Sequence, residues 1–207
     1  MGSKERKARD FERRQEQILL AAEKIFRRKG VNGLRLEEIA EAIEFSKGII
    51  YLHFQSKEEL FAHLLLRKAD RLYEMLRRAT EADGSMRDGI ERCLESTVDF
   101  YLEHREYYAL LFHVDTQAAR LPAELTRNIL IRKRNCLEVF SDVLARGKSR
   151  GELPGEVSVD QLSLVLWGML NGIVQLIETH QANKKNLGSL VGLAMNLVFD
   201  GILKKEK

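Results

Sequence analysis

The residues with the clearest chemical meaning lie in one run, Ser46-Lys47-Gly48-Ile49-Ile50-Tyr51-Leu52-His53-Phe54, followed closely by Ser56-Lys57-Glu58-Glu59. If the run is helical, Ile50 and Phe54 stand four apart and suit a core, which leaves Lys47, Ile49, Tyr51 and His53 to point outward. Lys47, Tyr51 and Lys57 carry donors suited to phosphate oxygens. Gly48 leaves the backbone bare where a phosphodiester could approach. Ser56 with Glu59 reads as a capping box, and the helix start behind it, with Lys57, has the geometry that binds phosphate. Contact with a nucleic-acid backbone is one reading of this chemistry. A plain three-helix packing unit is the other, and the local pattern leaves both open.

Catalytic patterns do not compete for these residues. None of His53, His63, His104, His113 and His180 has Glu three positions before it, as a di-iron bundle needs. There is no phosphate-cradling P-loop and no H-E-x-x-H. His104 and His113 lack Cys or carboxylate neighbours at metal-ligand spacing. Cys93 and Cys136 form no C-x-x-C pair and read as core residues of a reducing compartment. The expectation is a protein that is not an enzyme, with no cofactor and no metal.

The elements that must position the run follow from spacing. Ile18, Ala22, Ile25 and Phe26 recur at helical intervals, and Gly30 stops that helix behind Arg27, Arg28 and Lys29. Leu36, Ile39, Ala40 and Ile43 mark a second, short helix. Ser46 caps a third from Lys47 to about Phe54. Two short helices with a three-residue connection have the layout of a helix-turn-helix, whose second helix enters the major groove of DNA. A long fourth helix runs from the Ser56 box to about Thr80, and Asp83-Gly84-Ser85 closes a compact N-terminal part. Beyond it the spacing gives a fifth helix through Ile90, Cys93, Leu94, Thr97, Val98 and Tyr101, and a sixth within His104 to Thr116. A seventh starts at Pro122, an eighth runs from Val159 to about Thr179, and a ninth from about Leu187 to Leu203. No strand-period run and no internal repeat is present.

Composition agrees with an all-α chain of about nine helices. Only Pro122 and Pro154 break it, and hydrophobic residues make up 44% and charged residues 31%. Net charge is +3, from 34 basic and 31 acidic residues, too modest to announce a nucleic-acid partner. The N-terminal stretch is more basic: Lys4, Arg6, Lys7, Arg9, Arg13 and Arg14 stand against Glu5, Asp10 and Glu12, as in a frayed arm or a solubilising tail. No cleavable apolar segment follows Met1. The uncharged run Gln161 to Ile177 is interrupted by Ser163, Asn171 and Gln175 and falls short of the roughly 20 residues of a membrane span. A cytoplasmic protein without membrane contact is the expectation.

The sequence resembles the TetR family of bacterial transcriptional regulators. The pattern lies in Ile18-Leu19-Leu20-Ala21-Ala22-Glu23-Lys24-Ile25-Phe26, Gly30, Ile39-Ala40, Ser46 to Phe54, and Ser56-Lys57-Glu58-Glu59-Leu60, across residues 13–64. The remaining two-thirds match only in architecture. The resemblance implies a helix-turn-helix head with a basic N-terminal arm, residues 1–56, and a ligand-binding, dimerising body, residues 57–207. It implies that Lys47, Tyr51, His53 and Lys57 contact phosphates while Gly48 and Ile49 meet the groove behind the Ser46 cap. Three positions depart from the pattern. Glu44 stands where Gly is common in the turn, and Ile49 where Thr is frequent, offering an apolar contact to a thymine methyl. Arg35, with Leu34, stands where Thr or Ser often caps the second helix, which makes Arg35 a candidate phosphate or base contact.

In the body, Tyr108, Phe112, His113, Phe140, Trp167 and Asn171 suit an apolar cavity with a few polar groups, although aromatics at helical spacing also suit a plain core. The eighth helix is apolar on nearly every face and needs cover all round. Leu166, Gly168, Met169, Gly172 and Ile173, with Leu190, Ala194 and Leu197 of the ninth helix, suit a twofold subunit interface, the alternative being the central helix of a monomer. The expected function is a dimeric repressor on a palindromic double-stranded DNA operator, released by a small, largely apolar effector. A helical dimeric adaptor without DNA binding is the alternative.

Overall fold

The apolar stripes found by spacing become the buried faces of helices. The structure, a computed structural model, describes residues 2–30, 32–112, 121–179 and 186–203. Among the described residues there are nine helices and no strand: α1 (Ser3–Lys29), α2 (Leu36–Ala42), α3 (Lys47–His53), α4 (Lys57–Ala79), α5 (Met86–Glu103), α6 (Arg105–Phe112), α7 (Ala123–Ser149), α8 (Val159–Thr179) and α9 (Leu187–Leu203). The chain divides into two compact units, Met1–Lys68 with His113–Ile129, and Ala69–Phe112 with Leu130–Lys207; the divisions after Lys68 and Ile129 fall inside α4 and α7. The expected tail of the sixth helix, 113–116, lies outside the described residues.

In the first unit, Ile18, Ala22, Ile25 and Phe26 of α1 close over Ile39 and Ala40 of α2, Ile50 of α3, and Phe54, Leu60, Phe61 and Leu64. Each such Ile, Leu or Phe removed from water contributes about 1.5–3 kcal/mol. Phe26 and Phe61 meet as tilted rings, centroids 5.4 Å apart. Gly30 ends α1 at φ 68°, its N–H donating to Phe26 O at 2.8 Å. One expectation is corrected: the basic stretch is not a frayed arm but the first part of α1. Its start is held by Gly2 N–H donating to Glu5 Oε2 at 3.1 Å, and its exposed surface by Arg13 on Asp10 at 3.0 Å. Ion pairs tie α4 to α1, Lys68 to Glu23 at 2.6 Å and Arg67 to Glu16 at 2.7 Å.

In the second unit, α5 starts in a reciprocal capping box between Ser85 and Asp88. Arg92 donates to Ala79 O (2.8 Å) and Ala82 O (2.9 Å), holding the connection between α4 and α5. Gly147 of α7 lies so close to Met86 that a Cβ would come within 2.4 Å of the Met86 side chain, so only glycine fits. Cys93 and Cys136 are buried free thiols, each pushed up to about 12 by burial. At the far end of α8, Tyr101 donates to Glu178, and Arg105 donates to both of its oxygens at 2.8 and 2.7 Å. Those bonds hold the Glu178 carboxyl below its usual range, while burial, reinforced by Glu178, raises Tyr101 to about 12.

Helix α8 buries Leu166, Leu170, Val174 and Ile177 and exposes Leu164, Val165 and Leu176. The stretch Val159–Glu178 reaches membrane-crossing length and hydropathy on length and composition, which the interrupted run Gln161 to Ile177 did not suggest. Its buried face is nevertheless packed on protein. The cover that the sequence demands all round is supplied here on one side.

Candidate functional site

The turn between α2 and α3 is built from local bonds. Phe45 N–H donates to Ala40 O at 2.9 Å, and Glu44 takes φ 56°, a left-handed conformation that glycine adopts without strain. Arg35 occupies the N-cap of α2 with no side-chain cap bond, so its exposed guanidinium is not engaged there. Ser46 caps α3, its Oγ accepting from Ile49 N–H at 3.4 Å. Ile50 and Phe54 are fully buried and fix the helix's rotation. Lys47 and Gly48 are therefore exposed, Ile49 is half-exposed, and Tyr51 is 48% exposed. Lys47 and Tyr51, four apart, share one face. A Cβ on Gly48 would meet only Ser46 Oγ, at 3.9 Å, which leaves the backbone approachable.

Lys57 is exposed at the start of α4, 3.9 Å from Glu58. Ser56 Oγ accepts from Glu59 N–H at 3.1 Å, while Glu59 Oε2 accepts from Gln55 N–H at 2.7 Å, so the return bond reaches one residue earlier than in a standard capping box.

His53 does not point outward. It is 8% exposed because, three residues after Ile50, it lies on the edge of the buried face. Its ring stacks on Phe11 of α1, centroids 4.1 Å apart, and its Nδ1 is buried without a partner. Burial, with the charge of Arg14, holds its pKa below the usual value. Its surroundings thus favour the neutral imidazole. The spacing also missed Leu52, 70% exposed on the same helix, and the stack itself, which joins residues far apart in the chain.

Among the body residues, Tyr108 OH donates to Asn171 Oδ1 at 2.6 Å, and Asn171 Nδ2 donates to Trp167 O at 2.6 Å. These three, with Leu72, Leu111 and Cys136, line a cavity of about 30 Å³, room for about one or two waters. Burial raises the Tyr108 hydroxyl's pKa. Phe140 is fully buried, edge-on to Trp167 at 5.7 Å, and does not line the cavity as it stands. His113 and the Phe112 side chain lie outside the described residues.

Of the interface set, Gly168 and Gly172 are exposed with open space at their Cβ positions, and Met169, Ile173 and Ala194 are half-exposed. Leu190 and Leu197 are exposed. Leu166 is fully buried, on the side of α8 turned away from Gly168 and Gly172. An apolar groove of about 410 Å³ runs between α8 and α9 past Ile173, Leu176, Leu193 and Leu197.

A family model described as bacterial regulatory proteins, tetR family, matches residues 18–64. The HTH-type transcriptional repressor SCO4008 of Streptomyces coelicolor is 30% identical over 172 residues, 81% of each protein. The HTH-type transcriptional activator FasR of Mycolicibacterium smegmatis is 27% identical over 133 residues, 64% of this chain and 59% of that protein's length. In fold, FadR from Bacillus subtilis, solved in complex with stearoyl-CoA, superposes with a TM-score of 0.70 at 19% identity, over 90% of this chain and 98% of the other.

Proposed function

Because the chain belongs to the tetR family of bacterial regulatory proteins, we propose that it is a ligand-responsive DNA-binding transcriptional regulator that represses from a palindromic operator as a homodimer. Residues 1–56 serve as the DNA-binding head and 57–207 as the effector-binding and dimerising body. The observation that carries this reading is the capped α3, which presents Lys47, Gly48 and Tyr51 to solvent while Ile50 and Phe54 anchor it. Arg35, Ser46, Ile49 and Lys57 complete the DNA surface, and His53 supports it from behind. The role needs no cofactor and no catalysis, and it belongs in the cytoplasm, where the DNA is.

Two half-sites must be read at once, about one helical turn apart or a multiple of it, so any shift between the two α3 helices weakens binding. The uncovered faces of α8 and α9, with Gly168 and Gly172 at the closest approach, suit a second copy of the chain. An effector between α4 and α7 would bias α4. The coupling is bounded by the effector's differential affinity for the two states. The cavity at Tyr108, Trp167 and Asn171 is too small for any effector in the state described, so binding selects or opens a wider one. A largely apolar effector suits walls of Leu72, Leu111 and Trp167; of the stearoyl-CoA bound in the FadR structure the acyl chain is of that class, while its CoA part is charged.

A mobility-shift assay on the promoter beside the protein's own gene, with Tyr51→Ala and Lys57→Ala, tests the residue assignment. Both variants should weaken the complex. Unchanged binding in both refutes the assignment, and no binding of the wild type at low salt favours the dimeric adaptor.

A further inference from the structure

Helix α1 begins at Ser3, well ahead of its first fully buried residue, Ile18. Followed toward the N-terminus at helical spacing, the buried stripe Ile25, Ala22 and Ile18 continues through Arg14, Phe11, Lys7 and Lys4. Where the helix passes the core, the face that was apolar thus becomes cationic. No acidic residue shares that stripe. Glu5, Glu12 and Glu16 lie on another side, and Asp10 is occupied by Arg13 at 3.0 Å.

The stack of Phe11 on His53 places this cationic face beside the last turn of α3. Lys7 and Arg14 stand about one helical turn to either side of Phe11. Phe11 is 43% exposed, so the ring is a surface contact and not part of the main core. A solvated tail has no need to sort its charges by face or to dock an aromatic ring on α3.

We propose that Lys4, Lys7 and Arg14 contact the phosphate backbone alongside the segment met by α3, with the Phe11–His53 stack holding the helix in place. The inference rests on the DNA-binding function above. His53 is then a positioning residue, acting through Phe11. Such contacts carry no sequence information, so they add affinity equally to any duplex and lengthen the protected stretch.

The probe is a fluorescently labelled duplex of arbitrary sequence, about 30 base pairs long, with anisotropy followed from about 50 to 200 mM salt. K4Q/K7Q/R14Q is compared with R6Q/R9Q/K24Q, which removes the same charge from the other faces of α1 and keeps the Arg13–Asp10 pair. The first triple should lower the slope of log K against log salt by about 0.9 for each phosphate no longer neutralised, up to about 3 per protomer, while the second leaves it near wild type. Phe11→Ala should lower the slope in the same direction with helical circular dichroism retained. Equal slopes for the two triples, or a wild-type slope in K4Q/K7Q/R14Q, overturns the proposal while DNA binding itself stands. Wild-type protein that fails to bind at the lowest salt overturns the DNA-binding reading and the proposal with it.

Discussion

Removing the Tyr108 hydroxyl tests whether the polar pair at the small cavity holds the body closed. Tyr108→Phe deletes a donor 2.6 Å from Asn171 Oδ1 while keeping the ring. Both residues are buried, so the amide oxygen loses its partner without gaining bulk water. The cost combines a net hydrogen bond with an unsatisfied acceptor, about 1–3 kcal/mol. For a chain of this size that lowers the melting temperature by roughly 2–4 °C per kcal/mol. Asn171→Leu should also destabilise, by leaving the Tyr108 hydroxyl unpaired. The double variant Tyr108→Phe/Asn171→Leu removes both polar partners, so its destabilisation should fall short of the sum by about 1 kcal/mol or more. Urea unfolding of the four proteins at one pH measures the cycle. Strict additivity would refute the idea that the pair acts as one latch, and a Tyr108→Phe as stable as wild type would show that the bond carries no net weight.

Glu44→Gly should stabilise the protein by about 0.5–1 kcal/mol in urea unfolding, because φ 56° strains a side chain and suits glycine; a destabilised variant would mean the carboxylate has a role in the turn. His53 and His63 both have pKa values lowered chiefly by burial, so the unfolded chain binds protons more readily. Their contribution is therefore present above pH 6.5 and lost as pH falls from there through the lowered values; unfolding free energy should drop as pH falls below 6.5, less so in His53→Gln. Stability that instead rises on that acidification contradicts the burial of both rings. Cys93 and Cys136, raised to about 12, should react with a thiol reagent only as fast as the protein opens, and rapid labelling of native protein would place them at the surface.

What was legible in the sequence was local. Ile18, Ala22, Ile25 and Phe26 fix the inner face of α1, Ser46 fixes the start of α3, and Ile50 with Phe54 fixes its rotation, all within a turn or two of chain. That rotation made Lys47 and Tyr51 readable as exposed. It misplaced His53 because a residue at the edge of a buried face is covered or free according to a distant neighbour, here Phe11. The side taken by Leu166 was not legible for a related reason: on a helix apolar all round, spacing cannot say which side meets its own core. The Lys68–Glu23 pair and the Tyr101, Arg105 and Glu178 network join residues far apart in the chain, and no local rule couples them. The arm misled because Lys and Arg favour helix nearly as well as Leu, while the stretch has no apolar stripe to announce it.

The most direct measurement is a mobility shift of the wild-type protein on the DNA upstream of its own gene, at low salt, with unlabelled competitor. The account predicts a complex that survives excess heterologous DNA and is displaced by the same sequence. No complex at low salt, or one displaced equally by any duplex, would contradict it.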